Sequence, residues 1–415
     1  MTGTSLASSR WLQLVLAMWL LLGAAVSVRT FVWPEKRTVF PVFSAGARHW
    51  WADESLYYPY SDNTGGYRYS PIFAIFMTPF ALLGNTTGGV LWSWLNLGVY
   101  LLGLRWFVRD VLPGDWPAWR EALLYALGLW GAMRCAWNSQ ANILVIGCLL
   151  MAASALVRER WWQAAFLLAA PVFLKLSPLA VALLFCALMP RKLLPRFALV
   201  LLLGAALPFL TRPPEIVLGH YREWHEHLSG SAEARWPGLR DGWTVFLLVR
   251  HALGEDLDLR ITAVDSPLYR ILQCGSGVLL AGWCLWQQRR GISRSQLILF
   301  TMAGGAAWLM IFGPATEFPT YVILAPFAAY ALLDSWHTGR GFWTAGATWM
   351  LTAVLPWNAA TGQFQDDVPL LFAVLPAGAA CFLLWLLVHA QRTPAALPLL
   401  TSQPRTIIDH QSQAA

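Results

Sequence analysis

The residues equipped for chemistry are few and bunched. Lys175 stands in LKLSP (174–178), an ammonium between apolar runs. Arg134, Asn138, Gln140 and Asn142 share RCAWNSQAN (134–142), and Arg68 and Tyr69 open RYSP (68–71). Glu317 lies in GPATEFPTY (313–321) with Thr316 and Tyr321. Asp53, Glu54 and Asp62 are carboxylates of the stretch that follows the first apolar run. An ammonium at the edge of an apolar run can pair with a lipid phosphate at headgroup level, or simply snorkel there. Arginine grips phosphate with two prongs; the neighbouring Tyr69 can stack on a sugar face or an apolar chain, or both can serve as interfacial anchors. Side-chain amides offer donors and acceptors together, which suits hydroxyl-rich sugars, though a plain inter-helix turn has the same composition. A carboxylate among them can take a proton from an acceptor hydroxyl. Glu317, Asp62 and Asp53 are the candidates for that work, and solvated loop charge is their plainer reading.

Other chemistries find little purchase. His220, His225 and His227 fall within HYREWHEH without metal-ligand spacing, so an amphipathic surface helix is the default. The six cysteines lie in or beside apolar runs with no CxxC pair, as small buried hydrophobes do. No Walker loop, GxGxxG pattern or serine elbow stands out.

The elements that must position these groups are apolar. Hydrophobic residues make up 57% of the chain and charged ones 12%, against about 25% charged in soluble proteins, and mean hydropathy is +0.50. So few charges cannot cover a soluble protein of 415 residues, whereas lipid demands few. The 25 tryptophans fit membrane interfaces. The net charge of +7 does not imply nucleic acid, because Lys and Arg sit at the ends of apolar runs and form no stripe or tail.

Twelve apolar runs are candidate transmembrane helices: 11–30, 89–108, 121–137, 141–157, 161–175, 177–190, 196–211, 267–288, 295–313, 318–335, 341–358 and 369–390. The fifth and sixth are short, with Pro171 and Pro178 near their shared turn. The first resembles a signal peptide, and an uncleaved first helix is the expectation with so many runs following. Basic residues collect at 105–120, 158–160, 191–196, 289–294 and 337–340, which makes those loops and both termini cytoplasmic by the positive-inside rule. The alternation requires 71–83 to be a re-entrant or surface helix. The expectation is therefore an all-α polytopic protein of the cell membrane. It forms one integral domain over 1–392, with a first external loop at 31–88 carrying short surface helices. A second external loop covers 212–266, and a short tail covers 393–415. Every unusual polar stretch then falls on the external face.

At this point the chain resembles glycosyltransferase family 87, the DUF2029 group, over roughly 38–335. The resemblance rests on Phe40, Phe43, Ala45-Gly46, Leu56-Tyr57, Tyr69-Ser70-Pro71 and Pro79-Phe80-Ala81-Leu82-Leu83. It continues with Ser139-Gln140-Ala141-Asn142 and Lys175-Leu176-Ser177-Pro178. Asp241-Gly242-Trp243-Thr244 with Arg250 stands where the family often has an Asn-Gln-Ser stretch and an Arg. The resemblance implies a GT-C-type membrane transferase with an external active site. Its donor would be a polyprenyl-phosphate sugar, typically mannose, and its acceptor a lipid or envelope glycan; no nucleotide sugar, cofactor or metal would be needed. Lys175, Arg68 and Arg134 would hold the phosphate, while Gln140, Asn142, Tyr69 and Asp241 would position sugar and acceptor. The family usually opens its first-loop motif with Asp-Phe, the Asp serving as base, and this chain has Val39 before Phe40. Either Glu317, Asp62 or Asp53 replaces that base or the chain is a silent homologue; a lipid or solute transporter is the further alternative, disfavoured by one-sided polarity and the lack of two-half symmetry.

Overall fold

In the computed structural model the described residues are 3–36, 38–58, 66–233, 244, 267–313, 316–356 and 369–394, and their regular structure is helical. The helices are α1 (Gly3–Val32), α2 (Phe40–Ala52), α3 (Pro71–Leu82), α4 (Gly84–Asp110), α5 (Ala118–Trp137), α6 (Asn142–Val157), α7 (Trp161–Leu174) and α8 (Pro178–Leu188). They continue with α9 (Leu194–Ala206), α10 (Pro214–Glu233), α11 (Pro267–Arg289), α12 (Arg294–Phe312), α13 (Ala325–Thr338), α14 (Phe342–Trp349) and α15 (Pro369–Arg392). Two 3₁₀ segments, Leu207–Leu210 and Phe318–Ile323, follow α9 and precede α13.

Each of the twelve apolar runs is mostly helical over its described residues. Among the described residues three stretches are long and apolar enough to cross a membrane singly, Arg10–Val32, Arg294–Phe312 and Val374–Arg392, and α3 with α4 would make a fourth if taken as one bent span. The helices α6, α7 and α8 and the stretch Leu194–Leu210 are apolar but shorter. At 14 residues, α7 is about 21 Å long against a hydrocarbon core of about 30 Å. Proline punctuates this region: Pro171 lies inside α7, Pro178 starts α8, and Lys175 between them is extended.

The stretch 71–83, expected as a re-entrant or surface helix, is α3, and it meets α4 at a sharp bend. The axes of α3 and α4 differ by 115°. Pro71 suits the first position of α3, and Gly84, at φ +75°, makes the left-handed step at the joint. The tightest helix pairing, α4 on α6, depends on the absence of side chains: a Cβ on Gly103 would stand 2.6 Å from the Gly147 carbonyl oxygen, and one on Gly147 would stand 2.9 Å from Val99 backbone. Gly147→Val should therefore destabilise the protein by about 1–3 kcal/mol, read as a lower thermal midpoint in detergent. Gly98→Ala is the control, because nothing lies within 4 Å of its added carbon.

The two ends of the bundle differ in chemistry. At one end the basic loops knit together: Arg158 reaches Asp110 at 2.5 Å, Arg294 reaches Glu159 at 2.6 Å, and Lys192 stands 3.7 Å from the same Glu159. At the other end α2, α3 and the described residues between them (53–58 and 66–70) pack under α10. Tyr221 of α10 donates to the Ala205 carbonyl at 2.8 Å, Trp224 to the Arg68 carbonyl at 3.3 Å, and Glu223 accepts from Ser55 at 2.9 Å. His220 of the same helix is buried, its ring 5.2 Å from that of Trp50. The surface helix expected around HYREWHEH is thus a cover laid on the first loop.

Burial lowers the His220 imidazole below its ordinary value, with the Glu223 carboxylate opposing. The neutral ring is the folded form. Its contribution is present above the unfolded-chain value of about 6.5 and is lost as pH falls below it. The thermal midpoint should drop on acidification through that window, and His220→Phe should flatten the dependence.

Candidate active site

The joint between α5 and α6 is built to aim side chains. Ser139 adopts φ +54°, and the Ser139 and Gln140 amides donate back to the Ala136 and Cys135 carbonyls at 3.0 and 3.1 Å. That is a Schellman end, with serine in the left-handed position where glycine is usual. The turn is pinned from outside: the Val39 amide donates to the Asn138 carbonyl at 3.0 Å, and the Trp92 indole to the Ser139 carbonyl at 2.9 Å. Asn142 then starts α6, two residues after Gln140, and the two amides join each other.

There they meet Lys175 and Glu317. Lys175 Nζ donates to Asn142 Oδ1 at 3.4 Å and lies 3.5 Å from Thr320 Oγ1. Asn142 Nδ2 donates to Gln140 Oε1 at 2.8 Å, and Gln140 Nε2 donates to Glu317 Oε2 at 3.2 Å. The bonds run in one direction, from an ammonium that can only donate, through two amides, to a carboxylate that accepts. The ends thereby dictate the amide orientations. Asn142 and Thr320 are buried, and the Thr320 hydroxyl also accepts from the Glu317 amide at 3.4 Å. In water-poor surroundings such a chain holds a cation and a carboxylate at fixed places with few alternatives.

The RYSP loop is anchored beside this chain. Ser70 Oγ donates to the Phe173 carbonyl at 2.5 Å, two residues before Lys175. The Tyr69 carbonyl accepts from the Tyr57 hydroxyl at 2.8 Å, and the Tyr69 ring meets Phe43 edge-on at 4.9 Å. Burial and then the Glu317 carboxylate raise the Tyr69 phenol above its ordinary value, with Arg68 opposing. Arg68, beside it, is exposed.

The remaining sequence candidates go elsewhere. On the 3₁₀ segment, positions three apart share a face. Glu317 and Thr320 therefore face the Lys175 chain, while Phe318 and Tyr321 line a small crevice with Arg134. Asp53 caps α2 in a left-handed conformation and pairs with Arg212 at 2.9 Å. That arginine also donates to the Trp50 and Trp51 carbonyls and lies over the Trp51 ring, so Asp53 belongs to a clamp joining α2 to the start of α10. Asp62 and Asp241 lie outside the described residues. Thr320 is the participant that inspection of the sequence missed. The Glu-x-x-Thr spacing ahead of a helical turn, a capping box with its residue types exchanged, is the signal that points to it.

Among solved structures the chain is similar to that titled "Crystal Structure of ArnT from Cupriavidus metallidurans in the apo state", at 14% identity and a TM-score of 0.37, over 93% of this chain and 78% of that one. Nothing matches among curated proteins. The family model described as glycosyltransferase family 87 matches residues 67–314, which takes in Arg68, Tyr69, Gln140, Asn142 and Lys175 and stops just short of Glu317. With well over half of its length so matched, and with the matched part supplying the cationic end of the buried polar chain, this all-helical membrane protein belongs to glycosyltransferase family 87.

Proposed function

We propose that the protein moves a hexose, typically mannose, from a polyprenyl-phosphate donor to a lipid or cell-envelope glycan acceptor on the external face of the cell membrane. The observation that carries this reading is the directed chain from Lys175 through Asn142 and Gln140 to Glu317. It sets a phosphate-binding cation and a proton-accepting carboxylate in one place, joined by two sugar-compatible amides. In the proposed reaction the bond between the anomeric carbon and the donor phosphate breaks. The acceptor oxygen bonds to that carbon, and its proton passes to Glu317. The departing polyprenyl phosphate carries the new negative charge, which Lys175 and Arg68 neutralise. Neither a nucleotide sugar nor a metal is required by this scheme.

The membrane arrangement is part of the proposal. With the Arg158–Asp110 and Arg294–Glu159 loops cytoplasmic, twelve helices crossing or entering the bilayer leave both termini inside and the Lys175 end outside. The shortness of α7 recesses Lys175 below the outer surface, at a depth a lipid-borne phosphate reaches. Val39 bears on the base. Its amide bonds to the Asn138 carbonyl, in the turn that leads to Gln140, and Gln140 reaches Glu317, so the position where the family motif carries its base adjoins the turn that bears on Glu317. Glu317 is accordingly the substitute base.

The test is transfer by purified full-length protein from mannosyl polyprenyl phosphate to a membrane lipid extract, with label followed into product. Labelled product that depends on the protein supports the reading. Intact donor after prolonged incubation, across several sugars, would favour the silent-homologue alternative that Val39 raises.

A further inference from the structure

A second polar cluster stands at the other end of the bundle and has no part in the Lys175 chain. The 14 residues of α13 span about 21 Å, from just after the 3₁₀ segment bearing Thr320 to Thr338. Around that far end, between α13, the start of α14 and the end of α15, lies a cavity of about 390 Å³. Its lining includes Arg340, Arg392 and His389. One carboxylate, Asp334, lines it too, and that charge is already matched by Arg120, 3.7 Å away, with the His389 ring 3.6 Å from it. Arg340 and Arg392 are exposed, and neither is paired with a carboxylate among the described residues. Tyr330 also lines the cavity; it is 2% exposed and its hydroxyl has no hydrogen-bond partner. The cavity is thus cationic and keeps a polar group in reserve.

What would fill it is indicated by the rest of the lining. Leu384 and Val388 belong to the cavity and are 58% and 37% exposed on α15, within a stretch apolar enough to cross a membrane. At the same end Trp336, Phe342 and Trp343 are exposed, Trp343 at 86%, which is how aromatics mark the membrane–water boundary. A free anion would use the arginines and leave the apolar wall idle. The geometry points to a binding site for the phosphate headgroup of an anionic phospholipid, with its chains along the outer face of α15, in the leaflet opposite the Lys175 site. This assignment does not depend on the transfer reaction.

The experiment is native mass spectrometry of the full-length protein in detergent, with phosphatidylglycerol, phosphatidylcholine or inorganic phosphate added. Phosphatidylglycerol should be retained, and the other two should not compete for its place. Arg340→Ala with Arg392→Ala should raise the apparent Kd for phosphatidylglycerol about 30-fold, as two cations near a membrane surface would. Arg191→Ala with Lys192→Ala, basic residues outside the cavity, should leave it within about twofold. If the alanine pair does not stay monodisperse, Arg340→Gln with Arg392→Gln makes the same comparison. The proposal is overturned if wild type retains no phosphatidylglycerol, if both pairs weaken it equally, or if millimolar inorganic phosphate displaces it.

Discussion

Lys175→Ala is expected to lower sugar transfer by about 100- to 1,000-fold, the usual cost of removing one electrostatic stabiliser from a water-poor site. The developing phosphate charge would face the Asn142 amide and the Thr320 hydroxyl, which now meet the ammonium at 3.4 and 3.5 Å and cannot neutralise it. The effect should fall mainly on kcat, because charge on the leaving group grows as the anomeric bond breaks. Lys175→Arg keeps the charge but not the reach, and should recover part of the rate. Initial rates with mannosyl polyprenyl phosphate, alongside a thermal midpoint for each variant, decide the matter. A Lys175→Ala protein that is folded and transfers at the wild-type rate would remove the lysine from the leaving-group role.

Glu317→Gln should cost about 100- to 10,000-fold, the range for loss of a positioned general base. The replacement matches in shape and leaves an oxygen to accept from Gln140, now 3.2 Å away, so folding should survive and proton transfer should not. The diagnostic variant is the double one. Val39 occupies the N-cap of α2 with no side-chain cap hydrogen bond, and aspartate is among the residues preferred there. On the substitute-base reading, adding Val39→Asp to Glu317→Gln should restore about tenfold or more of the lost rate, because a carboxylate would return to the position where the family motif carries its base. Rescue would not occur if Glu317 merely holds the 3₁₀ turn in shape. In that case Glu317→Gln would shift the thermal midpoint more than the rate.

Much of this site can be read along the chain. Lys175 is conspicuous because a cation beside apolar runs is costly and therefore rare. Gln140, Asn142 and Glu317 are conspicuous because amides and carboxylates are scarce in a chain with 12% charged residues. The grouping of basic loops at one end also follows from local composition, since each marks the end of an apolar run. Pro71 marks the start of α3, and the joint with α4 falls at the glycine at position 84.

Which carboxylate joins the lysine is a different kind of question, and only packing answers it. Gln140 and Glu317 are 177 residues apart, and Lys175 and Thr320 are 145 apart. Nothing local distinguishes Glu317 from Asp53, which the fold gives to Arg212. Nor does local pattern reveal that Arg134 faces the Phe318 side of the 3₁₀ segment, or that α10 closes over the first loop instead of lying in solvent. By itself the sequence determined an apolar helical membrane protein with its scarce polar residues near the ends of its helices. The tertiary structure decided which of them touch, because hydropathy is a property of neighbours along the chain whereas a hydrogen bond depends on where distant helices come to rest.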